Sequence, residues 1–511
     1  LRAREDLARL ERLAGRPEES AQLYEMLAEG LPVGVARSNH KTREFEANLE
    51  AGNRVAALEA LEDALNAFDE RYRATGVFAK ITEWKDRAVA ATNRWSEEID
   101  ALEHEPLGGR ASLRLKLYRH ILLKNDILDS TRGDPFRVRF SAIAERSKDA
   151  LLVGYDRLFL ARDCHNYGLH GRVDRAVEWY DETEQLFERS DESSGLAHMA
   201  IGMARLRRNE GDFDSALESL ERAARNFGRS EDVDERESFL VAAERAQLHR
   251  EEGDLDKALR RARKLRHFYR GNRLAAFRAN QVLVPVHMLR GELDRVEVYL
   301  EESREFLGDG PPTTATMWLA RQESRLNLAL GRPEVARGQL DVLEEELVRT
   351  GLIDHPFVEP LYYLSRAQTL IALLSRKDRL GEPRRDDIFR EIRDAVGHVR
   401  GRSATFVPPR EAEFDRLLAR FELLRNNHEQ AYDYVEQATE HLKQYPNPIA
   451  RSMCAEAQGI IFQRDEPDHG TSLIEQSRVI YDHHDCHYPL VLEGWPVPAR
   501  MSYLQLDEAG E

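Results

Sequence analysis

The sequence predicts an all-α fold, a superhelical solenoid of about twelve antiparallel helix hairpins, and three observations carry that expectation. One spacing of turn, small and bulky residues returns roughly every forty positions along most of the 511-residue chain. A small residue also stands seven positions ahead of most of those turns. Finally, a third of the residues are charged while 30 Gly and 19 Pro together make up only about a tenth, a composition that suits long helices and argues against extended disorder.

The clearest copy is residues 209–224, NEGDFDSALESLERAA. Behind a Gly211-Asp212 turn, Ala216, Leu220 and Ala223 fall at steps of four and three, so they share one helical face and mark the second helix of a hairpin. In chain order the pattern opens with Gly15, Ser20, Tyr24 and Leu27, where Pro17 sits at a helix start that does not need its N–H. Gly52, Ala57, Leu61 and Ala64 follow, then Gly171, Ala176 and Tyr180. After the Gly211 copy come Gly253, Ala258 and Ala262; Gly291, Val296 and Leu300; and Gly331, Ala336 and Leu340. Asn426, Ala431, Val435 and Ala438 continue the series, with Asn in place of the turn Gly because it tolerates the left-handed conformation. A weaker copy lies around Gly470 and Ile474, and Ile388, Ile392 and Ala395 mark a degenerate one.

The first helix of each hairpin carries its own mark. Ala8, Cys164, Ala204, Ala246, Ser324 and Ala419 all stand seven residues before the turn, and small side chains there let neighbouring helices approach closely. Phe45 and Val284 break the rule, so their hairpins are expected to pack differently. Loops are expected at 106–110, 308–314, 375–387 and 401–409, the third of them charged and exposed. The chain then divides into N-terminal hairpins (1–76), degenerate hairpins (77–160), a regular array (161–350), a degenerate hairpin with the charged loop (351–410), C-terminal hairpins (411–487) and a cap or tail (488–511).

Taken together, these residues resemble tetratricopeptide repeats: a small residue in the first helix, Gly-Asp or its equivalent at the turn, Ala five later, then a bulky and another small residue. The period is longer than the usual 34 residues, and in this the chain is similar to the helical arms of bacterial signalling ATPases and repeat-bearing kinases. The resemblance implies a right-handed superhelix whose first helices line a concave face.

On that face, at about ten, six and three positions before each turn, arginine recurs: Arg9 and Arg12, Arg205 and Arg208, Arg250, Arg321 and Arg325, and Arg416 and Arg420. Gln247 and His165 hold equivalent places. Guanidinium forks match carboxylate and phosphate oxygens, so this row could grip an acidic or phosphorylated segment of a protein partner. The competing reading is that these arginines pair with glutamates on adjacent helices. Lysine is scarce, about ten residues, so nearly all the positive charge is Arg.

Other chemistry is weakly marked. The formal charge of −17 disfavours nucleic acid and anionic membranes as general partners. Cys164, Cys454 and Cys486 show no paired spacing, so no disulfide framework is expected and a reducing cytoplasmic setting is. No apolar run reaches spanning length, the best, 361–374, being broken by Arg366 and Gln368. His483, His484, Asp485, Cys486 and His487 are metal-ligand types, but adjacent residues seldom close a tetrahedron. Cys164 with His165 and His170 is read as a packing thiol beside two histidines and not as a nucleophile. No phosphate loop, dinucleotide fingerprint, zinc-protease motif or nucleophile elbow occurs, so neither catalysis nor a cofactor is expected.

The functional expectation is therefore a protein-interaction scaffold, or the sensing arm of a larger bacterial-type regulator, working by presentation of its concave face. The alternative is a regulatory piece that gates a kinase, protease or ATPase domain. Leu1 is not an initiator Met and the first residues already read as helix, so the chain is expected to be part of a longer one.

Overall fold

In the computed structural model the described residues are 2–66, 149–167, 173–229, 238–308, 310, 312–375, 382–402, 407–487 and 489–495, with isolated positions between 117 and 145. They form helices and no strands. The helices run in pairs, beginning with α1 (Arg2–Leu13) and α2 (Pro17–Glu29), then α3 (Val35–Ala51) and α4 (Arg54–Asn66). The array resumes with α5 (Ala150–Tyr167) and α6 (Val173–Arg189), α7 (Ser193–Glu210) and α8 (Phe213–Phe227), and α9 (Ser238–Glu252) and α10 (Leu255–Phe268). It continues through α11 (Arg273–Leu289) and α12 (Leu293–Leu307), α13 (Thr314–Ala329) and α14 (Pro333–Thr350), and α15 (Val358–Ser375) and α16 (Glu382–Arg402). The last pairs are α17 (Pro408–Leu424) with α18 (His428–His441) and α19 (Pro448–Phe462) with α20 (Pro467–His483), followed by a 3-10 turn at Pro489–Glu493. Each helix packs mainly on its pair mate and on the next pair, the nearest-neighbour arrangement of an all-α solenoid. Among the described residues no helix is long and apolar enough to cross a membrane.

The repeat residues do what their spacing requires. Ser20, Ala57, Ala176, Ala216, Ala258, Val296, Ala336 and Ala431 are all completely buried where the two helices of a pair cross. Ala8, Ala204, Ala246, Ser324 and Ala419 are buried on the first helices. At the turns, Gly211 and Gly253 adopt φ of +83° and +89° to end the first helix, and the next residue, Asp212 or Asp254, caps the second by accepting from the N–H three positions on. Asn426 takes the same left-handed conformation, φ +62°, and Asn427 caps α18.

Three boundaries differ from expectation. Helix α16 starts at Glu382, inside the stretch expected to be loop, and extends to Arg402, while α17 begins at Pro408. Proline at a first turn needs no N–H, which is why Pro408 and Pro409 start a helix within the expected loop. In the weaker copy, Gly470 lies inside α20 at the Ala position, four residues before Ile474, where a Cβ would meet the Gly459 carbonyl at 2.6 Å. The expected loop at 106–110, the turn at Gly171 and most of the degenerate stretch 77–160 lie outside the described residues.

Beyond its nearest-neighbour contacts, the array coils onto itself. The Gly15 turn touches the loop at Arg270 and Gly271, and Arg54 donates to the Leu307 carbonyl at 2.9 Å across 253 residues of sequence. Helix α3 packs on α11, and these two carry Phe45 and Val284, the exceptions to the small-residue rule. At the other end, the Gly211 and Gly253 turns meet Tyr445, Pro446 and Pro448, and the His487 N–H donates to the Leu289 carbonyl at 2.6 Å. The Pro489–Glu493 turn rests on α13 and α19.

These close approaches need glycine. A Cβ on Gly271, whose φ is +84°, would lie 2.1 Å from the Gly15 carbonyl. Gly271→Ala is expected to cost about 1–3 kcal/mol from the backbone conformation alone and more from the clash. Gly338→Ala, on the exposed face of α14 with nothing near its Cβ, should instead stabilise by about 0.5–1 kcal/mol. Urea unfolding of both variants checks the pair of signs.

Candidate functional site

The first helices of eight successive pairs, α5 through α19, and the Pro489–Glu493 turn surround one cavity of about 570 Å³. The ring is closed where Tyr445 and Asn447 reach Glu251 of α9: the Tyr445 hydroxyl donates to its carboxylate at 3.1 Å, and the Asn447 amide to its backbone carbonyl at 2.7 Å. Pro285, Met288, Trp318 and Phe357 give the lining its apolar part, with Trp318 set edge-on to Phe277 at 5.6 Å.

Charged side chains of the lining form three linked groups. In the first, Arg208 donates to Glu244 at 2.7 Å and lies 3.2 Å from Glu251, Arg205 shares Glu244, and Arg250 donates to Glu251 at 3.0 Å. Burial would raise the Glu244 carboxyl, yet Arg205 and Arg208 overcome it and hold the group at about 2. In the second, Glu413 of α17 accepts from Arg321 at 2.6 Å, Arg325 at 3.1 Å and Gln368 at 2.8 Å, joining α13, α15 and α17. Burial opposes its charge, but these arginines keep Glu413 well below the ordinary carboxylate range. In the third, Arg416 makes a two-pronged pair with Glu493 at 2.6 and 2.9 Å and reaches the Cys454 sulfur at 3.4 Å.

Residues 140–374, which span α5 to α15, match the family model of a MalT-like TPR region. The chain carries a tetratricopeptide-type helical repeat. This TPR array resembles the arms of MalT-type ATPases, and no curated protein matches the chain.

Of the arginines expected from the TPR spacing, Arg205, Arg208, Arg250, Arg321, Arg325 and Arg416 line this one cavity. The others lie elsewhere. Arg9 is exposed on α1, Arg12 is clamped by Glu46 and Glu50 on α3, and Arg420 donates to Ser375 and lies over the Trp495 ring, where burial pushes it down to about 10. The spacing does not single out Arg278 and Arg410, or the four glutamates Glu244, Glu251, Glu413 and Glu493. Arg278 and Glu413 stand thirteen before their turns and Arg410 sixteen, so following the stripe one or two helical turns further toward each helix start would have found them.

The His483–His487 run ends α20 and packs against the α11–α12 turn, with Cys486 buried and its thiol pushed up to about 12 by that burial. Among the described residues no group of three or more His, Cys, Asp and Glu side chains is placed to hold a metal. The side chains of Cys164 and His165, and the whole of His170, lie outside the described residues.

Glu413→Gln leaves two arginines facing a neutral amide and should destabilise by about 3–5 kcal/mol. Since the folded-state values of Glu244 and Glu413 are depressed, their contribution is complete above the unfolded value of about 4.3 and is lost as pH falls through it toward the folded value. Urea midpoints measured between pH 7 and pH 3 should therefore drop below about pH 4 in the native protein and drop less steeply in Glu413→Gln.

Proposed function

We propose that this chain is the sensing arm of a larger signalling protein, and that the coiled TPR array holds a small ligand in its central chamber. The observation that carries this reading is ring closure. The concave face expected to receive a partner segment is covered by the chain's own C-terminal pairs, through Glu251 with Tyr445 and Asn447 and through Arg321 and Arg325 with Glu413. What is left is a space of about 570 Å³, within the range of small-molecule sites. The likeness to a MalT-like TPR region supports a role as an arm, and the polar contacts at the closure supply an element that ligand binding could tighten or release.

The scaffold reading differs in requiring an open ring. A fraction of metabolites below about 1 kDa, the size a chamber of this class accepts, should raise the melting temperature and slow hydrogen exchange at residues 445–447 and 410–420. If synthetic acidic or phosphorylated peptides produce that protection and the metabolite fraction does not, the concave face is a peptide groove and the sensing reading is wrong.

A further inference from the structure

The chamber has the opposite sign to the protein that contains it. The chain carries a formal charge of −17, yet nine arginines line the cavity against four glutamates, and no Lys, Asp or His is among the lining residues. Each of the nine arginines is buried or half-buried, and none is fully exposed. Arg321 and Arg416 are 7% and 2% exposed, and burial together with repulsion from Arg321 pushes Arg410 down to about 10.

Donors also remain over after the internal pairs are made. Buried Nε atoms of Arg250 and Arg325 and the Nη1 of Arg321 have no hydrogen-bond partner, although the Nη2 of each side chain donates to Glu251 or Glu413. A buried guanidinium nitrogen without an acceptor is costly, and an excess of like charge in a low-dielectric space is costlier. Both costs are relieved by one kind of occupant, a small molecule that brings several anionic oxygens.

Resting on the sensing reading, we infer that the chamber binds a small polyanion carrying two or more phosphate or carboxylate groups, held between Arg208 and Arg250 on one wall and Arg321, Arg325 and Arg410 on the other. Guanidinium forks suit both oxygen geometries, and the apolar patch around Trp318 and Phe357 accommodates an uncharged portion of the ligand. The four glutamates fix the arginine orientations before the ligand arrives, so little ordering is left for binding to impose.

Calorimetric titration of the full chain with tripolyphosphate and with citrate, at matched ionic strength, tests this and separates the two oxygen classes. The expected result is one site per chain for at least one of the two, with Arg250→Gln and Arg325→Gln each weakening it by about tenfold or more. Arg349→Gln, an exposed residue of α14 outside the chamber, should change nothing. In case the chamber variants fold poorly, modification of the native chain by phenylglyoxal reads the same contacts: the bound anion should shield Arg250 and Arg325 and leave Arg349 reactive. Absence of binding by both anions, or binding that leaves Arg250 and Arg325 as reactive as before, overturns the inference. If the anions are silent while a metabolite fraction still stabilises the chain, the polyanion class is wrong and the sensing reading stands; if both are silent, both fall.

Discussion

Closure of the ring at Glu251 is the constraint on which the rest of this molecule depends. A helical repeat stabilised by nearest neighbours alone has no reason to bring its middle and its end together. Here one glutamate on α9 faces Arg208 and Arg250 within the array and also receives the Tyr445 hydroxyl, 194 residues away. Because the Gly211 and Gly253 turns present bare backbone to Tyr445, Pro446 and Pro448, the two edges approach closely enough for those bonds to form. Local turn chemistry and long-range closure are thus set by the same glycines.

Closing the ring turns a surface into an interior, and this changes what its charges do. On an open groove, arginine and glutamate would be solvated and their pairing would contribute little. Inside the chamber Glu413 and Arg416 are both largely hidden from solvent, so each pair is strong, each vacancy is expensive, and any surplus charge creates a field directed at the cavity. The apolar side of the array is handled separately: one core cluster runs from Phe45 to Trp495, so the charged chamber adds selectivity to a body already held by buried Ala, Leu and aromatic side chains.

Most of the helical architecture was legible in the chain, because the repeat is written in residues whose burial is obligatory. Ala216, Leu220 and Ala223 have to face α7 whatever the rest of the protein does, and Asn426 can replace glycine only where φ is positive. The inner position of six arginines was legible for the same reason, since a helix that buries one face must present another. What the repeat does not encode is curvature. How far each pair turns on the last is left open by the repeat residues, and only the departures at Phe45 and Val284, on the helices α3 and α11 that pack together, hinted at the coiling. Without that curvature the carboxylate partners Glu413 and Glu493 could not be assigned, and neither could the burial of Leu490, Leu492 and Glu493, in a stretch that reads as a cap or tail because three prolines obscure any period.

The most direct test of the closed ring is a distance across its seam. Spin labels at Glu210, beside the Gly211 turn, and at Gln444, whose carbonyl lies against that turn, sit on exposed positions of the two edges. Double electron–electron resonance on the full chain should give a short and narrow distance, unchanged in width by added salt. A long or broad distribution would mean that the two edges stand apart in solution and that the arginine-lined space is an open groove.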